Sequence, residues 1–222
     1  GSKQADELKV GTEYENFAAL DGKIEPMRYQ AEAGQASVEN VLRELQERLG
    51  WQEYLDDGVL IGLLGDMASV QLEPSGQLEF SGAPHRTIHQ VVAEITAFER
   101  EKESLKSSLG ISWLWAGHHP LWRPSEFDLM PKQRYKVMRR YLPTRGTHAL
   151  DMMHGTTTVQ SNLDYTSETN MGTLLRSSMG VSSILGAIFS NSPLVGRSPC
   201  GYQSFRNRIW EDVDSHRCGL LP

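Results

Sequence analysis

Between Val59 and Phe80 three short runs, Val59 to Leu64, Ser69 to Glu73 and Gln77 to Phe80, are cut apart by Gly65-Asp66 and Pro74-Ser75-Gly76. Links this short can join only antiparallel neighbours, so the pattern predicts a β-meander and rules against a doubly wound parallel sheet here. Val10 to Phe17 reads as a further strand, with a turn at Asp21-Gly22, and Ile111 to Gly117 and Met153 to Tyr165 return to strand character.

Helical spacing alternates with these runs. Ser37 stands as a cap before Val38, Val41, Leu42, Leu45 and Leu49, and Gly50 follows the last of them. Thr87 to Leu109 opens on a stripe of Ile88, Val91, Val92, Ile95 and Phe98, and its charged part, Glu99 to Lys106, is expected to be a solvated face. Pro131 and Pro143 bracket another helical segment, and Ser167 caps one running to about Phe189, ended by Asn191-Ser192-Pro193. The fold class is therefore α+β on a largely antiparallel sheet.

The chain of 222 residues shows no repeat and no linker, so a single domain over residues 3–222 is expected, with Gly1-Ser2 read as an expression scar. A net charge of −6 argues against nucleic acid or an anionic membrane as partner. A phosphate-bearing ligand would then need a metal ion or local arginines. Cys200 and Cys218 form neither a disulfide framework nor a zinc cluster; reduced thiols and the lack of an apolar leader predict a cytoplasmic protein. The longest apolar stretch, Val181 to Phe189, falls far below the roughly 20 residues of a membrane span.

Residues two apart on a strand share a face. Glu13 and Glu15 therefore point one way, as do Gln71 with Glu73 and Gln77 with Glu79, while Leu72, Leu78 and Phe80 point the other way. In the later strand Thr156, Thr158, Gln160, Asn162 and Asp164 form one face, and Thr157, Val159 and Leu163 are expected to pack on the core. If these strands are neighbours, one sheet face gathers four glutamates with almost no lysine. Hard oxygen ligands on rigid strands suit Mg²⁺ or Mn²⁺, which in turn holds nucleotide phosphates. A plainly solvated face produces the same alternation, and on periodicity alone it is the favoured reading of the two.

The histidines carry less. His118-His119 before Pro120 reads as a strand-end pair, and His85 with His89 has the spacing of a zinc pair but begins at the helix start. No Walker loop, dinucleotide glycine fingerprint or nucleophile elbow is present.

Seven blocks, in order over nearly the whole chain, resemble the plant and proteobacterial glutamate-cysteine ligases of the glutamine-synthetase-like superfamily. They are G-T-E-Y-E-N-F (11–17), L-E-P-S-G-Q-L-E-F-S-G-A-P (72–84), M-P-K-Q-R-Y-K-V-M-R-R-Y-L-P (130–143), L-D-M-M (150–153), T-V-Q-S-N-L-D-Y (158–165), N-S-P (191–193) and F-R-N-R-I-W-E-D-V-D (205–214). The resemblance implies a curved sheet forming a funnel, with helices on its outer face. It also implies ATP-dependent ligation of glutamate to cysteine through a γ-glutamyl phosphate, giving the γ-glutamylcysteine of glutathione biosynthesis. Its metal ligands for Mg²⁺ or Mn²⁺ fall on Glu13, Glu15, Glu73 and Glu79, its nucleotide-side amides on Gln160 and Asn162, and its substrate-facing arginine on Arg206. Asn16, Ser75, Thr157 and Ser161 depart from the family pattern without removing a ligand.

The resemblance spans the N-terminal half of the family's usual length, so either a missing C-terminal half or a homodimer is expected to complete the site. Two other readings keep the fold: a non-catalytic nucleotide- or metal-binding partner subunit, and a ligase joining glutamate to a different amine.

Overall fold

In the computed structural model, which describes residues 1–23, 25–32 and 34–219, the chain is organised around one long strand, β1 (Val10–Leu20). After it come β2 (Glu25–Pro26), α1 (Val38–Leu49), β3 (Gln52–Asp56), β4 (Val59–Leu64), β5 (Ser69–Leu72), β6 (Gln77–Ser81), α2 (Ile88–Leu109) and β7 (Ile111–Leu114). The remainder comprises α3 (Gln133–Tyr141), α4 (Ala149–Gly155), β8 (Val159–Leu163), α5 (Glu168–Ile188), a small hairpin of β9 (Leu194–Val195) and β10 (Ser198–Pro199), and α6 (Phe205–Trp210).

Every pairing in the main sheet is antiparallel, in the order β2-β1-β6-β5-β4-β3, with β7 and β8 also on β1. Glu13 and Tyr14 pair with both β6 and β8, and Phe17 pairs with both β6 and β7. A strand has two edges, so β8 and β7 follow one another along one edge of β1 while β6 lies on the other. This confirms an α+β fold on a large antiparallel sheet, which does not close into a barrel.

The meander forms because its turns are cheap: Gly76 sits at φ 84° behind Pro74-Ser75, and the Gly76 N–H closes on the Glu73 carbonyl at 3.0 Å. α1 and α2 begin as the sequence dictates, with the Ser37 and Thr87 hydroxyls accepting the N–H of Asn40 and Gln90, and end on Gly50 and Gly110 in the left-handed region. Both helices pack on the sheet face that carries Tyr14, Val70, Leu72, Leu78 and Phe80, and with Leu42, Leu45, Phe98 and Leu105 these make the core. The opposite face of the same strands is left for Glu13, Glu15, Gln71 and Glu79.

Three expectations need correction, and one strand went unread. Met153 to Tyr165 is not one strand: residues 149–155 are helical in α4, and β8 begins only at Val159. A two-residue alternation and a single helical turn are hard to separate over so few positions. β3 lay unread between Gly50 and the meander.

The charged half of α2 is not a plain solvated face. Lys102 is 1% exposed, its ammonium 2.5 Å from Glu99 and 4.3–5.2 Å from the ring centres of Tyr14, Trp113 and Trp115, and hydrogen-bonded to Asn16. Its aliphatic stem packs like an apolar residue while its head is held by aromatic faces.

Val159 and Leu163 point to the helix side of the sheet, as expected, yet they are 70% and 55% exposed. α1 packs on β4, and α2 on β1 and β7, which leaves these two side chains open. No helix is long and apolar enough to cross a membrane among the described residues.

Candidate metal and nucleotide site

The register of the sheet builds the site. Glu15 on β1 stands opposite Glu79 on β6, Glu79 stands opposite Gln71 on β5, and Glu73 follows β5 by one residue at the start of the Pro74-Ser75-Gly76 turn. Carboxylate oxygens of Glu15, Glu73 and Glu79 lie within 4.8 Å of one another, and this trio is the only such cluster of acidic, histidine or cysteine side chains among the described residues. All three are half-buried.

The environment opposes three negative charges. Burial, then the charges of Glu73 and Glu79, push the Glu15 carboxyl up to about 8, with Arg206 acting against them. Burial, then Glu79, push Glu73 up to about 7, against the pull of Lys132, a hydrogen bond from Tyr135 and Arg134. Among the described residues no ion pair closes on any of the three. Glu15 and Glu73, crowded in a half-buried site without a paired cation, are pushed toward their protonated forms, and a divalent ion would act in the opposite direction. The donor set, oxygen only and acidic, fits Mg²⁺ or Mn²⁺ and not a soft metal.

Glu13 does not join the trio. It is one row along the sheet, opposite Ser81 on one side and Gln160 on the other, and its two oxygens accept from the amides of Gln160 at 2.9 Å and Asn162 at 3.0 Å. The strand alternation thus places Glu13, Gln160 and Asn162 on the carboxylate face, but as a hydrogen-bonded group beside the trio. Arg206, on α6, reaches the site from a distant part of the chain: its Nε donates to the Thr157 carbonyl at 3.1 Å, and its charge acts on Glu15. Burial lowers the guanidinium's proton affinity and Glu15 partly restores it.

Three further residues support the site, of which the sequence reading missed Tyr135 altogether. Tyr135 is buried on α3, and its hydroxyl donates to the Leu72 carbonyl at 2.6 Å and lies 3.3 Å from Glu73. Lys132 sits at the start of α3 with its ammonium 3.4 Å from Gln71.

Gln77, read as part of the polar face, is buried beneath the turn. It accepts from the Ser75 N–H at 2.8 Å and donates to the carbonyls of His154 and Thr156 at 3.3 and 3.2 Å. Ser75 in turn meets His154 Nδ1 at 2.6 Å. His118, His119 and His154 are all buried, and burial lowers their proton affinity, to about 4 for His119 and His154. Burial thus favours the neutral rings, and His118 and His119 follow shortly after the end of β7.

An antiparallel sheet with helices on one face and a carboxylate trio on the other defines a class of protein with a candidate divalent-cation site on an open sheet face. The comparisons narrow that class. Residues 9–222 match the Glutamate-cysteine ligase family 2 (GCS2), and the chain belongs to that family. It is 38% identical over its whole length to the chloroplastic glutamate-cysteine ligase of Nicotiana tabacum and to that of Arabidopsis thaliana, covering 41% of each. It is likewise 38% identical to the chloroplastic glutamate-cysteine ligase A of Oryza sativa subsp. japonica, covering 44%. The chain thus spans about two fifths of the length of the curated relatives it matches.

These relatives overturn the cytoplasmic expectation, since each is named as chloroplastic. Thiol content and the composition of a folded domain carry no compartment address, which resides in a removable leader.

Proposed function

We propose that this chain forms the metal and nucleotide side of a glutamate-cysteine ligase active site. The observation that carries the reading is the trio of Glu15, Glu73 and Glu79. Glu15, Glu73 and Glu79 would hold Mg²⁺ or Mn²⁺, with Glu13 beside them; a bound divalent ion would neutralise charge on the ATP phosphates. Gln160 and Asn162 offer amide groups at the rim of the same face for the nucleotide, and fix the Glu13 carboxylate meanwhile.

The reaction asks little covalent chemistry of the protein. A γ-carboxylate oxygen of glutamate attacks the terminal phosphorus of ATP and ADP leaves; the cysteine amine then attacks the acyl carbon, phosphate leaves and the amine sheds a proton. The chain's own part is to position and to balance charge. Arg206, anchored through Nε on the Thr157 carbonyl, keeps its terminal nitrogens for a carboxylate or acyl phosphate oxygen. Lys132 and Arg134 temper the charge at Glu73.

The test is ADP formation by a family-length chain carrying these residues. Release that requires both glutamate and cysteine, and that is lost in Glu15→Gln, supports the reading. Release that proceeds equally with other amines would move the activity to a different γ-glutamyl ligase, and no release would favour a non-catalytic binding subunit.

A further inference from the structure

α5 is the least supported element of the fold. It runs for 21 residues, begins with a sound cap in which the Ser167 hydroxyl accepts the Asn170 N–H, and buries none of its side chains. Glu168 and Arg176 are its only charged residues, so nothing ionic holds its last three turns in water.

Met171, Leu175, Met179, Ile184, Ile188 and, just past its end, Phe189 are all exposed, Phe189 at 74%. At about 100° per residue these six spread over roughly 220° of the helix surface, about twice the stripe of a helix that lies on a protein's outside. A helix apolar around so much of its circumference belongs inside a protein.

A second uncovered apolar surface lies on the strand just before it. Val159 and Leu163 stand on the helix side of β8 and are largely exposed, and Trp115, which stacks at 5.9 Å on Tyr14, the ladder partner of Val159, is itself 52% exposed. β8 pairs with β1 along one edge only. Its other edge offers unpaired backbone groups to an incoming strand.

We propose that α5 and the open side of β8 are the docking surface for the polypeptide that the family's longer members carry beyond the part matched here. Two facts select that occupant. The relatives are more than twice as long as the stretch they share with this chain. The apolar arc of α5 is also too wide for contact with one flat face, as in a two-fold dimer, and needs polypeptide on several sides at once. The inference rests on family membership and on exposure, and does not depend on the ligase reading.

The experiment compares Leu175→Cys and Ile184→Cys in the 222-residue chain with the same substitutions in a chimera that continues into the unmatched portion of the Nicotiana tabacum relative. Met67→Cys, in the exposed β4-β5 connection, is the control, and each introduced thiol is followed by its rate of maleimide labelling. The expected result is labelling at 175 and 184 at least ten-fold slower in the chimera, with 67 unchanged. Equal rates in the two chains overturn the proposal. So does slowing at 175 and 184 in the short chain as its concentration rises, with a doubled mass in light scattering, because the occupant is then a second copy.

A second measurement stands if the chimera fails to fold. The unmatched portion, expressed separately, should co-purify with the wild-type chain and not with Leu175→Glu/Ile184→Glu, a variant whose melting temperature should stay that of the wild type. Failure to retain wild type, or equal retention of the double variant, contradicts the proposal.

Discussion

Glu15 and Glu79 face one another across the β1-β6 ladder in direct register, two like charges where a sheet favours opposite ones. With Glu73 closing in from the next turn, the arrangement is unfavourable for the empty protein and favourable for a protein holding a divalent cation.

The pH dependence of the cation-free chain follows from that cluster. Glu15 and Glu73 have their proton affinities raised in the folded state, to about 8 and about 7, against an ordinary glutamate value in the unfolded chain. Between those limits the folded state binds more protons, so stability is greatest below the unfolded value and falls as pH rises toward 8. Thermal melts without divalent ions should show a declining melting temperature from about pH 5 to pH 8, and saturating Mg²⁺ should flatten that decline. A flat metal-free profile would contradict the raised carboxyls.

The ligand set should be unequal. Glu13 is occupied by two amides and lies outside the trio, so Glu13→Gln should weaken Mn²⁺ binding far less than Glu15→Gln or Glu79→Gln. Equilibrium titration with Mn²⁺ would measure the difference, with about three-fold expected for the first and tenfold or more, about 1.4 kcal/mol, for the others. Equal losses would return Glu13 to the trio.

Lys102 supports β1 from behind. Lys102→Met keeps much of the stem's packing and removes the ammonium that Asn16, Glu99 and three aromatic faces enclose. Because Glu99 is then left beside Tyr14 without a cation, the variant should lose about 2–3 kcal/mol of stability by denaturant titration. Its Mn²⁺ affinity should hold, since Tyr14 and Asn16 lie on the opposite face of β1 from Glu15.

Gln77 ties the Glu73 turn to the end of α4. Gln77→Leu leaves the Ser75 N–H and the carbonyls of His154 and Thr156 without their partner, and should cost about 2–4 kcal/mol by the same titration. A change below 1 kcal/mol would mean water replaces the amide.

The meander and both capped helices were legible because each is local: turn residues, cap residues and one period of alternation suffice. So was the side of the sheet on which Glu13, Glu15, Glu79, Gln160 and Asn162 stand, since alternation alone fixes it. What alternation cannot give is distance along the strand direction, and that separates Glu13 from the trio. Gln77 has the parity of the polar face, and only the packing of α4 beneath the turn makes it a buried tie. Lys102 sits in a run of charges that reads as solvated; its burial is decided by Tyr14, Trp113 and Trp115, 11 to 88 residues away in sequence.

The central claim, that the carboxylate trio holds a divalent cation with a nucleotide, is tested most directly by the melting temperature of wild type and Glu15→Gln with and without Mg²⁺-ATP. A ligand that binds only the folded chain stabilises it by mass action, so at about a hundred times its dissociation constant the wild type should rise by on the order of 5 °C. Glu15→Gln should show little or no rise. An equal shift in both proteins, or none in the wild type, would contradict the claim.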